Sequence, residues 1–153
     1  MPRRLMPDQK QSEEAAELAI SPEKVCFVII KAREFDAKDA AVEPDPASNA
    51  ADDRMIAVLE THADDPVVEE LTSFISALTE DEQIDLVALM WLGRDDNTVD
   101  DWPALREEAA RAYRSDGRRT AAYLLGTPLV GDYLEEGLAM LGHSCEAFEI
   151  NRL

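Results

Sequence analysis

The stretch from Thr79 to Gly93, TEDEQIDLVALMWLG, constrains the fold more than any other part of the chain. Its first turn reads as a helix start. Thr79 stands three residues ahead of Glu82, the spacing at which the hydroxyl accepts from the Glu82 N–H while the Glu82 carboxylate reaches back. Glu80, Asp81 and Glu82 suit the positive end of the helix dipole. Beyond them, Ile84 and the run Leu86 to Leu92 place apolar side chains on nearly every side, and Gly93 reads as the stop. A helix that is apolar all round must be enclosed by other helices, so this one predicts the centre of a helical core.

The neighbouring segments supply those helices. Ser21-Pro22-Glu23 combines a capping hydroxyl, a proline at the first helical position and an acid, predicting a helix from Pro22 to about Lys38. Val25, Val28, Ile29, Ala32 and Phe35 keep helical spacing there, and Cys26, Phe27 and Ile30 widen the face. The β-branched density leaves a strand over 25–30 as an alternative. Residues 1–20 read as a flexible tail, and 39–51, with two prolines, as a flexible loop.

Helical pattern resumes with Met55, Ile56, Val58 and Leu59, and again after Asp64–Asp65 and Pro66, where Val67, Leu71, Phe74, Ile75 and Leu78 form one stripe. Residues 93–101 are a polar connector. Further helices are predicted from Trp102 to near Gly117, from Thr120 to Leu125, and from the Thr127-Pro128 start to Gly142. Gly131 and Gly137 inside the last one cost stability unless a neighbour packs close to the backbone. The sum is an all-α, bundle-like domain of six to seven helices with short connections, spanning 21–153.

Charge narrows the partners. The chain has 33 acidic against 15 basic residues, a net charge of −18. Such a field repels phosphate backbones and anionic lipid, so neither nucleic acid nor a membrane is an expected partner. From His62 to Asp101 the only base is Arg94, whereas Arg106, Arg111, Arg114, Arg118 and Arg119 gather later. The two sets either face each other within the fold or lie on solvated faces. Cys26 and Cys145 are too few for a disulfide framework. With no apolar stretch after MPRRLMPDQKQ to suggest a signal peptide, both thiols are expected to be free, in the cytoplasm.

The strings TEDEQIDLVALMWLGRDDNTVDDW and RTAAYLLGTPLVGDYLEEGLAMLGHSCEAFE resemble an uncharacterised bacterial family, one of the "domain of unknown function" groups found largely in alphaproteobacteria. The resemblance covers roughly 66–149. It implies a bacterial cytoplasmic protein and brings no reaction, ligand or catalytic residue with it.

Three constellations carry chemistry worth following. Asp96, Asp100 and Glu107 fall near the ligand positions of a calcium loop. Asp101 stands where glycine belongs and Pro103 interrupts the pattern, so the competing reading is that Asp100 or Asp101 caps the helix from Trp102. His143 and Cys145, two apart, could form a nucleophile pair or half a zinc site, or be a histidine near a helix end beside a buried cysteine. Arg111, Arg114, Arg118 and Arg119, with Tyr113 and Tyr123 close by, suit a phosphate or carboxylate, or dock onto acids of this or a second chain.

No Gly-rich phosphate loop, CxxC pair, HExxH or nucleophile elbow occurs, and no cofactor is expected. The first functional expectation is therefore a non-enzymatic interaction or regulatory protein that binds a protein partner or a second copy of itself. Val25, Phe27 and Ile30 would contribute to the interface. The alternative is a small anionic-ligand binder or enzyme using the Arg111–Arg119 island or the His143/Cys145 corner.

Overall fold

A computed structural model of the chain describes residues 18–42, 65–116 and 119–146. Six α-helices occur among them: α1 (Pro22–Val42), α2 (Pro66–Ser76), α3 (Glu80–Arg94), α4 (Trp102–Asp116), α5 (Thr120–Leu125) and α6 (Val130–Met140), with a 3-10 turn at Val99–Asp101 and no strand among the described residues. The all-α expectation holds. The helix patterned on Met55 to Leu59, the tail to residue 17 and most of the 39–51 loop lie outside the described residues.

The centre is α3. Its capping box forms as the spacing predicts, with the Glu82 N–H on the Thr79 hydroxyl and the Thr79 N–H on the Glu82 carboxylate. The Glu82 carboxyl is held below its usual range, first by Lys24 on α1 and then by the Thr79 N–H. Ile84 and the run Leu86 to Met90 are buried, with Leu92. This helix packs most extensively on α6 and α4, and α1 packs on α6.

Gly93 does not stop α3, which runs on to Arg94. A Cβ at Gly93 would sit 2.0 Å from the Tyr133 carbonyl oxygen and 2.7 Å from the Gly137 amide nitrogen. One at Gly137 would lie 2.3 Å from the Leu89 oxygen. The two glycines thus let the α3 and α6 backbones touch, the close packing that offsets the conformational cost of glycine in a helix.

α1 is longer than the pattern suggests. It reaches Val42, so residues 39–42 of the expected loop are helical. Its apolar face is inward, with Val25, Val28, Ile29, Ala32 and Phe35 buried, and the strand alternative is excluded. At its start, Ile20 is fully buried, so the end of the expected tail belongs to the core.

Asp85 explains why residues 19–20 are anchored. Its side chain is 0% exposed and accepts the N–H groups of Ala19 and Ile20 and the Nε–H of Arg106. Three donors compensate a carboxylate that burial would otherwise make costly. Arg106 reaches Asp85 from α4, so one carboxylate joins α3, α4 and the segment before α1. We expect Asp85→Leu to cost about 2–4 kcal/mol, because it strands the guanidinium and two amides. Urea unfolding measures this, and an unchanged midpoint would refute the anchoring role.

The two cysteines are not free. Cys26 and Cys145 form a disulfide with a Cα–Cα distance of 5.6 Å, an ordinary span for such a bond. Two cysteines in sequence do not reveal a pairing; the packing of α1 across α6 brings them together. The expectation of free thiols is overturned.

The start of α6 also departs from expectation. Thr127 does not cap it; its hydroxyl donates back to the Tyr123 carbonyl, prolonging the exit from α5. The helix begins at Val130, after Leu129 in the left-handed region with φ of 64°. No helix among the described residues is long and apolar enough to cross a membrane.

Candidate functional site

The residues for a site come from one face of α3. Gln83, Val87 and Trp91 recur every four residues, which aligns them along the helix, with Ile84 beside them. On α4, Ala109 shares a face with Ala112 and Tyr113, three and four residues on. With Arg119, Thr120 and Tyr123 at the start of α5, these side chains enclose a cleft of about 270 Å³. That is just below the range for drug-sized ligands, so the cleft suits a small molecule.

Its walls are chiefly aliphatic and aromatic. The Trp91 indole N–H donates to the Tyr123 hydroxyl at 2.9 Å, tying α3 to α5 across the cleft. Arg94 also reaches that hydroxyl, behind its principal partner Asp95, and the two contacts raise its pKa against the opposing effect of burial. Gln83 is buried and donates its amide N–H to the Leu78 carbonyl. Arg119 is exposed and is the only charged residue among the described lining.

The arginine island does not converge. Arg111 is exposed and pairs along its own helix with Glu107 at 3.8 Å. Arg114 borders a second, more open hollow with Trp102, Pro103 and Arg106. Arg119 turns to the cleft, and Arg118 lies outside the described residues. Arg106 pairs with Asp85 and Asp81, so for this arginine the later bases do face the earlier acids of their own chain.

Asp96 and Asp100 are exposed on the α3–α4 connection, and Glu107 is engaged with Arg111. Among the described residues, no three His, Cys, Asp or Glu side chains gather as a metal site would require. Asp101 does not cap α4; it lies in the 3-10 turn and accepts the Thr98 N–H at 2.8 Å. His143 is half-buried, and its neighbour Cys145 has no thiol to offer because it is bonded to Cys26. The nucleophile-pair reading of that corner therefore fails. Val25 is buried in the chain's own core, Phe27 is half-buried with its ring 4.6 Å from that of Phe74, and Ile30 is half-buried.

Residues 68–143 match the family described as "Protein of unknown function (DUF3775)". This part of the chain belongs to DUF3775. No curated protein and no solved structure matches the chain. Every lining residue of the cleft lies inside the DUF3775 segment, whereas Cys26 and Cys145 both lie outside it. The cleft is thus built from DUF3775 helices alone, and the disulfide joins the flanking segments around them.

Sequence reasoning placed Tyr113, Tyr123 and Arg119 together but assigned Trp91 and Gln83 to the core helix. The spacing of Gln83, Val87 and Trp91 carried the missing signal. A glutamine and a tryptophan share one face of an otherwise aliphatic helix, and that face opens to the cleft.

Proposed function

We propose that this DUF3775 protein is a non-enzymatic binding protein whose cleft between α3, α4 and α5 takes a small, largely apolar molecule. The observation that carries the reading is the cleft itself: about 270 Å³ walled by aliphatic side chains and by Trp91, Tyr113 and Tyr123. Aromatic and aliphatic walls with a few polar groups are the usual lining of a small-molecule site. The described lining holds no carboxylate, imidazole or thiol, which favours binding over proton transfer or nucleophilic attack.

Self-association through α1 has less behind it. Leu129 is the only large hydrophobic residue exposed among those described, at 52%, and Val25 is already enclosed. A net charge of −18 also keeps copies apart.

The test uses the side-chain N–H signals of the two tryptophans in the full chain, followed by NMR during titration with 1-octanol. The Trp91 signal is expected to move and that of Trp102, buried at the start of α4, to stay. Ala112→Phe fills the cleft from its rim and is expected to weaken binding at least about tenfold, on the scale of lost apolar burial. If 1-octanol moves neither signal, or Ala112→Phe leaves the titration unchanged, the reading is wrong.

A further inference from the structure

Resting on the cleft reading above, we infer that the molecule it takes is uncharged and carries a hydrogen-bond donor, which meets the Oε1 oxygen of Gln83.

Most polar groups of the described lining are already engaged. The Trp91 indole N–H is given to the Tyr123 oxygen, which Arg94 also reaches. Thr120 and Arg119 each hold an interaction of their own. The Tyr113 hydroxyl can donate or accept and so selects neither kind of ligand. Gln83 differs from all of these. Its Nε2 donates to the Leu78 carbonyl, which fixes which end of the amide is the nitrogen, while its Oε1 accepts from no described group.

That oxygen is set in an apolar surround yet is not sealed off. Gln83 is only 7% exposed. Among the described residues, the Thr72 hydroxyl is the one fully enclosed polar side-chain atom without a hydrogen bond. The Gln83 oxygen lacks one too, so it still reaches open space, and for a residue on the cleft wall that space is the cleft. Water can satisfy it there while the cleft is empty. A ligand that displaces the water must bring a donor of its own, or leave a buried acceptor unpaired.

The donor is a neutral one. The described lining holds no carboxylate to compensate an ammonium, and its walls are chiefly aliphatic and aromatic, so a buried cation would go unpaired. A hydroxyl or a ring N–H on an apolar body meets both conditions.

Indole and benzofuran test this, because they share a shape and differ at one ring atom: indole donates and benzofuran can only accept. Each is titrated into the isotope-labelled full chain, with 1-octanol alongside, and the Trp91 side-chain signal is followed. Indole is expected to bind about fivefold more tightly than benzofuran, the scale of one net hydrogen bond. Gln83→Met keeps the length of the side chain and removes the acceptor, and is expected to bring that ratio to one or below. An unmoved Trp102 signal shows that the variant is folded, and the ratio in the parent chain decides the question even if it is not. If benzofuran binds as tightly as indole in the parent, or Gln83→Met keeps the full preference, the donor assignment is overturned while the cleft reading stands. If none of the three probes moves the Trp91 signal, both fall.

Discussion

Reducing the Cys26–Cys145 bond is expected to lower stability by about 3–5 kcal/mol, the largest single effect foreseen for this chain. The bond joins residues 119 apart. Cutting it returns to the unfolded chain the freedom lost by closing so long a loop, worth roughly 5 kcal/mol in the chain-entropy treatment, with measured values often smaller. For a chain of this size that corresponds to a fall in melting temperature on the order of 10 °C. Calorimetry of the same protein with and without a dithiol reductant measures it without changing a residue. Two thiols that react with an alkylating reagent in denaturant before any reductant is added would show that the bond is absent. Equal melting temperatures in the two conditions would show that it contributes nothing.

The bond also separates two sources of cohesion. α1 is already held by Val25, Val28, Ile29, Ala32 and Phe35 in the core and by Arg33, which pairs with Asp132 and Glu135 on α6. The exposed ion pairs contribute little individually. Burial therefore keeps α1 in place after reduction, and the protein is expected to stay folded, with a lower midpoint, rather than release the helix.

Gly93→Ala is expected to destabilise the protein by about 2–4 kcal/mol, although alanine is ordinarily the better helix former by about 1 kcal/mol. The sign is decided by the atoms the new methyl meets. They are the Tyr133 carbonyl oxygen and the Gly137 nitrogen, which belong to the backbone of α6 and cannot turn aside as a side chain would. Relief requires α3 and α6 to separate, and that pair makes the most extensive contact among the described helices. Gly137→Ala should behave alike, because its methyl meets the Leu89 oxygen. Gly131→Ala meets the Arg33 side chain at 3.0 Å and the Ile29 oxygen at 3.2 Å, so the arginine can shift and the loss should be smaller. Denaturant midpoints of the three variants give the ranking. A Gly93→Ala protein as stable as the parent would show that the two helices are not held at backbone contact.

Cap chemistry and apolar periodicity made the helices legible before the structure. Thr79 with Glu82, Asp65 ahead of Pro66, and the stripe from Val67 to Ile75 act within a few residues of themselves, and each appears as read. Local signals failed where a distant segment competed for the same group. Gly93 reads as a stop from its own neighbourhood, yet α6 passes so close that glycine is required within the helix. Thr127 reads as a cap, yet its hydroxyl is taken by the Tyr123 carbonyl. Residue 20 reads as tail, yet Asp85 on α3 captures the amides of Ala19 and Ile20.

The site divides in the same way. Sequence by itself determined the helical class, the central place of α3, the acid-rich composition and the presence of Tyr113, Arg119 and Tyr123 in one neighbourhood. Tertiary structure decided that Trp91 and Gln83 face a cleft, that Arg111, Arg114 and Arg119 part from one another, and that Cys26 meets Cys145. The physical reason is range. Capping and periodicity are satisfied within one or two helical turns. A cleft or a disulfide depends on the angles at which separate helices cross, and those are set by the whole core at once.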